Sequence, residues 1–457
     1  MDYDLDVLVI GAGACGLAAA IAAHDEGASV AILEKRDRPG GNSSLSTGSV
    51  PGAGSRFQRA AGIEDSARRM IDDLSAIAGD TDDPALLARM AEVSAPTVEW
   101  LVDTVGARMA LITAYKHIGH SERRLHAPTS RRGQDLVDDL LAAVETRDIP
   151  LAVGNAVEEL LVEEGRLVGA RVRAGDDVSS VRARKIVLAV NGFAADRDLV
   201  REHCPEIAGA EYFGALGSNG EAVKWGRALG AAFANMGAYQ GYAAVAYPHG
   251  SLLSWTTIEK GGMLVGQNGR RFGDESLGYS GFACVVLEQG RFAYAVFDQK
   301  IFDVAALEEE FMELVKHGGV KRHDDAQALA AAFDLDAAAL SQTLAGFAQA
   351  ARGEAPDAFG RRDFGLGALA PPYYAARVTP GLFHTQGGLK VDADARVLDR
   401  AGRPIPNLFA GGGAAAGISG SKGALGYASG NGLLTAIALG RLGGMAAARE
   451  AAAEKRG

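Results

Sequence analysis

The residue types and spacings that most plainly promise chemistry lie in the first fifty positions of this 457-residue chain. Gly11-Ala12-Gly13-Ala14-Cys15-Gly16 fits the pattern G-x-G-x-x-G, and Glu34 follows downstream. In that pattern the first glycine permits a tight turn, the second lets a diphosphate approach the backbone, and the third allows close helix–strand packing. A helix opening at such a turn presents free N–H groups and a partial positive charge to phosphate. A carboxylate at Glu34 can accept hydrogen bonds from ribose hydroxyls, and it repels a 2′-phosphate, which argues against NADP. In isolation the motif is weak, because the chain holds 60 glycines. It gains weight only between a strand and a helix. The competing reading is a glycine-rich turn with a solvent-facing glutamate.

The flanking residues supply that context. Val7 to Ile10 form a short apolar run, the signature of a buried parallel strand. Leu17 to Glu26 read as an alanine-rich helix stopped by Gly27. Ser29 to Leu33 read as a second strand ending at Glu34. Together they make one βαβ unit. After Glu34 the chain reads KRDRPGGNSS, which brings Lys35, Gly40, Gly41, Asn42, Ser43 and Ser44 into a second pass over the diphosphate. That is the habit of FAD proteins. No second G-x-G-x-x-G follows a strand, so no separate NAD(P)H domain is expected.

Farther along, residues 64–106 read as helical, with Pro84 and Pro96 as breaks. A helix is expected over 133–146, short strands over 151–181, and a buried strand over 185–190. Residues 218–230 read as a glycine-led helix. From Tyr239 to about Leu366 the style changes: aromatics, a hairpin at Gln267-Asn268-Gly269, and helices over 304–316 and 326–352. After Pro371-Pro372 the glycine-rich style returns, with strands expected over 387–392 and 407–410 and a helix over 430–440. Residues 446–457 read as a charged, solvated helix end. The expected fold is α/β: a Rossmann-like FAD-binding domain of the glutathione-reductase type with an inserted α+β cap domain. The boundaries expected are 1–235 and 367–457 for the FAD-binding domain and 236–366 for the cap.

Composition narrows the function classes. Acidic residues outnumber basic ones by 57 to 46, and the net charge of −11 argues against nucleic acid as a partner. Cys15, Cys204 and Cys284 are far apart and form no CxxC pair, so no metal site is expected. The start Met1-Asp2-Tyr3-Asp4 is acidic, unlike a signal peptide, and no apolar run is long enough to span a membrane. Cytoplasmic location is the expectation.

With these pieces in order, the chain resembles the flavoprotein family of fumarate reductase, succinate dehydrogenase and the 3-ketosteroid dehydrogenases. The carriers are GAGACG at 11–16, LEK at 33–35, GGNSS at 40–44, HAPT at 126–129 and GSNGEAVKWGRALGA at 217–231. GGMLVGQNGRRFGDE at 261–275, HTQGG at 384–388, GRPIPNLFAGG at 402–412 and ASGNGLLTAIALGR at 428–441 complete them. The resemblance spans nearly the whole chain. It implies FAD, with the cofactor contacts completed by Gly48, Val157, Asn191, Gly192, Gly412, Gly430, Asn431 and Leu433. It also implies chemistry on a carbon–carbon bond beside an activating group, and an external electron acceptor or donor. Covalent members carry a histidine near the GGNSS segment. Residues 40–50 hold none, so non-covalent FAD is expected.

The chain departs from the dicarboxylate enzymes at two positions. The family's cap arginine lies four residues after the glutamate of GRRF-xx-E; here Glu275 is that glutamate and Tyr279 stands in the arginine's place. The second arginine position holds Tyr427. An arginine fork matches a carboxylate, whereas tyrosine offers one hydroxyl and an apolar ring. The resemblance therefore leans toward ketosteroid dehydrogenase-like members. It implies Tyr427 as a holder of a carbonyl oxygen and Tyr279 as the proton-transfer residue, with His384 orienting substrate or relaying the proton. The substrate expected is a small carbonyl compound, a ketone or lactone. The alternative is a di- or tricarboxylate held by Lys422, His384 and Arg271. Each residue also has a plainer reading: the tyrosines as packing, His384 as a loop tie, His126 as an organiser of the loop at Pro128, Arg270 and Arg271 as a hairpin end or salt bridge, Lys422 as exposed.

Overall fold

A computed structural model of the protein describes residues 3–456. Met1, Asp2 and Gly457, part of the acidic start and charged end discussed above, lie outside the described residues. The chain divides into two units: one of residues 1–204, 214–239 and 384–457, the other of residues 205–213 and 240–383.

The first unit is built on a parallel sheet. Strand β1 (Leu5–Ile10) pairs with β2 (Val30–Leu33), Val7 opposite Val30 and Val9 opposite Ile32. On its other side β1 pairs in parallel with strand Asp177–Leu188, which in turn pairs with Pro404–Ala410. Helix α1 (Ala14–Asp25) connects β1 to β2. Its Leu17, Ala18, Ala19 and Ile21 are wholly buried. Burial on all sides explains why this helix carries no polar stripe.

The region from 151 to 190 holds longer strands than its sequence suggests. Asn155–Glu163, Arg166–Ala174 and Asp177–Leu188 form an antiparallel meander. The run expected as a separate strand at 185–190 is the buried end of the third. Pro84 opens a helix as expected, but Pro96 does not break it: Pro84–Trp100 is continuous. Proline removes one N–H and crowds the previous turn, and here Thr97, Val98 and Trp100 beyond it are buried, so packing holds the helix through. The strand expected over 387–392 shrinks to Gly388–Leu389.

The C-terminal reading needs the largest correction. A single helix, Asn431–Arg456, replaces a short helix and a solvated tail. Ala447, Ala448 and Ala451 are buried. Gly440 and Gly444 bring this helix onto α1: a Cβ on Gly440 would lie 2.2 Å from the Cys15 carbonyl oxygen, and one on Gly444 2.1 Å from that of Ala19. The tail's charges are paired. Lys455 meets Asp6, Glu454 meets Lys185 at 2.8 Å, and Glu450 meets Arg396 at 2.6 Å.

The second unit is α+β. Strand Ala293–Asp298 pairs antiparallel with Met263–Val265 and with Tyr373–Thr385. The latter pairing gathers residues 373–383 into this unit, beyond the compositional boundary at 366. Each of its two expected helices is split. Gln299–Ala305 and Glu309–Lys316 are separate, and Ala326–Phe333 ends at Asp334 (φ 54°) before Asp336 caps Ala337–Ala351. Among the described residues, no helix is long and apolar enough to cross a membrane.

Candidate functional site

The glycine turn is shaped as a cradle. At Gly11 a Cβ would meet the Ala189 carbonyl oxygen at 2.3 Å, and at Gly16 it would meet the Gly11 carbonyl oxygen at 1.8 Å. Protein therefore fills the space at both. At Gly13 the nearest atom is 3.6 Å away, the Gly40 carbonyl oxygen. Space is left for a ligand at the second glycine only, as a diphosphate lying on the backbone requires. The first intrahelical bond of α1 runs from Leu17 N–H to the Gly13 carbonyl. The N–H groups of Cys15 and Gly16 precede it and face the helix start. The Ala14 N–H donates to Ser43 Oγ at 3.2 Å, which ties the GGNSS segment to the turn. Gly40 joins it from the other side, its N–H donating to the Ala12 carbonyl at 2.9 Å.

Glu34 is buried. Its Oε2 accepts from the Ala12 N–H at 2.8 Å and its Oε1 from the Arg36 N–H at 2.9 Å. A carboxylate has about four lone-pair sites, so acceptor capacity remains. The Lys35 ammonium is engaged by Glu221 at 2.5 Å and by the Gly217 carbonyl, which leaves its backbone to offer. Val157 lies two residues beyond Asn155, whose N–H bonds the Glu34 carbonyl at 2.8 Å. Asn191 (φ 65°) holds Ser218 at 2.8 Å and the Gly192 N–H at 2.9 Å. Gly412 lies over Cys15, whose buried thiol is pushed up to about 12. Gly48 packs on Pro128, and Gly430 on Pro51 and the Ser49 carbonyl. Asn431 and Leu433 open the long helix and are buried.

Two buried amide atoms in this set lack protein partners: Asn42 Nδ2, a donor, and Asn431 Oδ1, an acceptor. An unsatisfied buried polar atom is costly and calls for a partner. With the open side of Gly13, these atoms fit a polar cofactor bound in the first unit.

His384 and Tyr427 come together in that same unit. Their rings meet edge to face at 5.5 Å between centroids. A Cβ on Gly432 would lie 3.4 Å from His384 Nε2 and 3.7 Å from the Tyr427 hydroxyl, so both polar tips converge on the start of the long helix. Sequence reasoning missed what fixes the imidazole. Asn431 Nδ2 donates to Ser419 Oγ at 3.3 Å, and Ser419 donates to Gln386 Oε1 at 2.9 Å. That orients the Gln386 amide so that its Nε2 donates to His384 Nδ1 at 3.1 Å. Nδ1 is thereby an acceptor, and the proton of the neutral ring sits on Nε2. The Thr385 carbonyl lies farther from Nδ1, at 3.4 Å. Burial holds the His384 pKa down to about 4. Gln386 stands inside the HTQGG segment, but nothing in the sequence marks Ser419, 33 residues away, as its partner.

A second polar group went unnoticed in the sequence. Arg124 is fully buried, its guanidinium paired with Asp65 at 2.8 Å and with Asp73 at 2.7 Å. His120 joins it, with Nε2 donating to the Ser429 carbonyl at 2.8 Å. His126 is buried and meets Ser55 Oγ at 3.0 Å, on strand Leu125–Pro128.

Tyr279 belongs to the second unit, near the start of helix Gly278–Glu288. It stacks on Tyr242 at 5.2 Å, and Tyr242 stacks on Phe383 at 5.6 Å. Tyr242 is buried and donates to the Leu253 carbonyl at 2.9 Å. Burial foremost, then the neighbouring Tyr279, keeps its pKa well above the usual phenol range. The turn before the helix is anchored by Glu275, which binds Arg271 at 2.6 Å and Arg361 at 3.3 Å. Arg271 also binds Asp357 at 2.5 Å. Its charge is thus answered within the unit: Arg271 takes the salt bridge of its two plainer readings and not the solvated hairpin end. Arg270 and Lys422 are exposed.

This geometry agrees with what the chain resembles. The FAD binding domain family matches residues 6–431, and the chain belongs to that family. It is an FAD-dependent oxidoreductase of the class acting on CH–CH groups. Among curated relatives, the probable fumarate reductase Ifc3 of Shewanella frigidimarina is 29% identical over 452 residues, covering 97% of this chain and 75% of that one. A flavocytochrome c3 fumarate reductase, solved in an open conformation, is similar with a TM-score of 0.84 and 28% identity, over 97% of this chain and 78% of that one. The 3-ketosteroid-Δ4-(5α)-dehydrogenase of Rhodococcus jostii, solved with 4-androstene-3,17-dione, follows with a TM-score of 0.77 and 25% identity, over 98% and 97% of the two chains.

Proposed function

We propose that this protein dehydrogenates a saturated ketone, lactone or similar carbonyl compound at its α,β bond, or reduces the corresponding enone. The observation that carries this reading is the pair His384 and Tyr427, two neutral polar side chains meeting at Gly432. A carbonyl oxygen placed there accepts from the His384 Nε2–H and the Tyr427 hydroxyl, as in an oxyanion hole. That polarisation acidifies the α C–H. Tyr279 takes the α proton in dehydrogenation and returns it in reduction. The glycine cradle would hold FAD non-covalently, and FAD when bound would supply the hydride chemistry at the β carbon. The residues named as cofactor contacts from the sequence are proposed to hold it, the inserted 236–366 region to serve as the substrate cap, and an external donor or acceptor to complete the cycle. Three cysteines without a disulfide support a cytoplasmic setting.

A di- or tricarboxylate substrate is the second reading. The names of Ifc3 and of the flavocytochrome favour it. Against it, Arg271 is taken by Glu275 and Asp357.

The test is reoxidation of the photoreduced holoprotein by 2-cyclohexenone, 4-androstene-3,17-dione or fumarate, followed by return of flavin colour. Recovery with the enones supports the proposal, and recovery with fumarate alone contradicts it. Tyr279→Phe is expected to slow enone turnover by about 10²-fold or more with FAD retained; unchanged turnover removes Tyr279 from the mechanism.

A further inference from the structure

Arg131 sits in the first unit with its charge unanswered. No carboxylate lies within ion-pair distance of it among the described residues, and its Nε is buried without a partner. The contacts its two Nη atoms make are long: Tyr115 hydroxyl at 3.4 Å, His117 Nε2 at 3.4 Å and Ser49 Oγ at 3.5 Å. None approaches the ~2.8 Å of a charge-assisted bond. Arg124, seven positions earlier in the chain, shows the contrast, with bonds of 2.7–2.9 Å to two aspartates. Burial foremost, and then the charge of Arg131, keep His117 neutral, its pKa lowered to about 3. His117 is therefore an acceptor for the guanidinium and not a rival cation.

The backbone at this position is also unusual. Arg131 has φ 58°, a left-handed conformation that non-glycine residues rarely adopt, in a turn closed by its N–H to the Pro128 carbonyl at 2.9 Å. Such conformations cluster at ligand clamps.

Arg131's partners lie beside the segment that joins Tyr427 to the long helix. The Ser49 carbonyl oxygen lies 3.0 Å from where a Gly430 Cβ would be, and the Ser429 N–H bonds the Ile118 carbonyl, next to His117, at 3.1 Å. Ser429 and Gly430 are the residues that lead from Tyr427 into the long helix.

We propose that Arg131 binds a single carboxylate carried by the substrate, in addition to the carbonyl whose neighbouring α,β carbon–carbon bond is oxidised or reduced. Nε–H and an adjacent Nη–H form a side-on fork matched to two carboxylate oxygens. One guanidinium suits one carboxylate, so the substrate class is an oxo acid or its unsaturated counterpart. This rests on the reading of His384 and Tyr427 as the carbonyl holders.

The test uses FAD-loaded protein and two probes of equal shape, 4-oxopentanoate and its uncharged amide, 4-oxopentanamide, titrated against the flavin absorption spectrum. The carboxylate is expected to bind about ten-fold tighter or more than the amide. In Arg131→Gln that ratio falls to near one, and Arg131→Lys restores part of it. An unchanged ratio in Arg131→Gln overturns the proposal. So does loss of FAD in Arg131→Gln with an unchanged ratio in Arg131→Lys, which assigns the guanidinium to the cofactor or the fold. Turnover of 2-cyclohexenone with an unchanged ratio leaves the carbonyl reading standing and removes this one. A collapsed ratio without any enone turnover supports the carboxylate site and removes the carbonyl reading.

Discussion

Around Gly11–Gly16 the surface is backbone, whereas around His384 and Tyr427 it is side chains held by other side chains. In the first region, shape is set by what cannot be there. Gly11 and Gly16 are packed so tightly that a methyl group collides with a carbonyl oxygen, while Gly13 stays open. In the second, shape is set by a line of donors and acceptors from Asn431 through Ser419 and Gln386 to His384. Backbone sites tolerate no added atoms, and polar lines tolerate no missing ones. The two regions should therefore fail in different ways.

The largest effect is expected from Gly16→Val, which forces atoms into the Gly11 carbonyl. Overpacking of this kind costs about 3 kcal/mol, and the purified protein should be colourless with a lowered Tm. Gly13→Ala sharpens the comparison, because its methyl group meets no protein atom closer than 3.6 Å. Its Tm should hold while FAD retention, read from the ratio of flavin to protein absorbance, falls. Equal losses of Tm in the two variants would remove the distinction between a packed and an open glycine.

Tyr427→Phe comes next. Loss of one donor to a developing oxyanion typically costs 10²–10³ in turnover, so enone reduction should drop by about 10² with flavin colour intact. Gln386→Leu should act through His384 and more mildly, by about ten-fold, since the ring remains but Nδ1 loses the donor that fixes its tautomer. It should also change the pH profile, which a purely structural role would not.

The pH dependence of stability gives a smaller effect that reaches across the first unit. Burial depresses the pKa of His120, His126 and His384 to about 4 and of His117 to about 3. An unfolded histidine titrates near ~6.5. The unfolded chain therefore binds more protons below that pH, and stability falls as pH drops from about 6.5 toward 4, at up to ~1.4 kcal/mol per pH unit per histidine. Thermal melts at pH 7 and pH 5 check this; a higher Tm at pH 5 would contradict it. Smallest of all should be Glu454→Gln at the C-terminal helix. Its partner Lys185 is buried but keeps Glu450 at 3.4 Å as a second carboxylate, so the drop in Tm should stay small.

The same contrast explains what could be read from the residues alone. A backbone site is written locally: the strand Val7–Ile10, the glycines after it and Glu34 fall within one βαβ unit and need no partner from elsewhere. Tyr279, Tyr427 and His384 were reached only through resemblance to known flavoproteins, because a lone tyrosine or histidine has no local signature. Gln386, Ser419, Arg124 and Arg131 owe their roles to partners tens of residues away. The elements misjudged share that cause. Pro96 sits inside a helix that packing holds together, and the C-terminal helix looked solvated because its glycines and alanines face α1 with nothing in the pattern to say so.

The account turns on a carbonyl held by neutral donors. The measurement that meets this most directly is the rate at which 2-cyclohexenone reoxidises the reduced holoprotein between pH 5 and pH 8. With His384 neutral throughout, its pKa near 4, the rate should be flat over that range and about 10²-fold lower at every pH in Tyr427→Phe. A rate that climbs as pH falls through about 6.5, the signature of a protonated histidine, would contradict it.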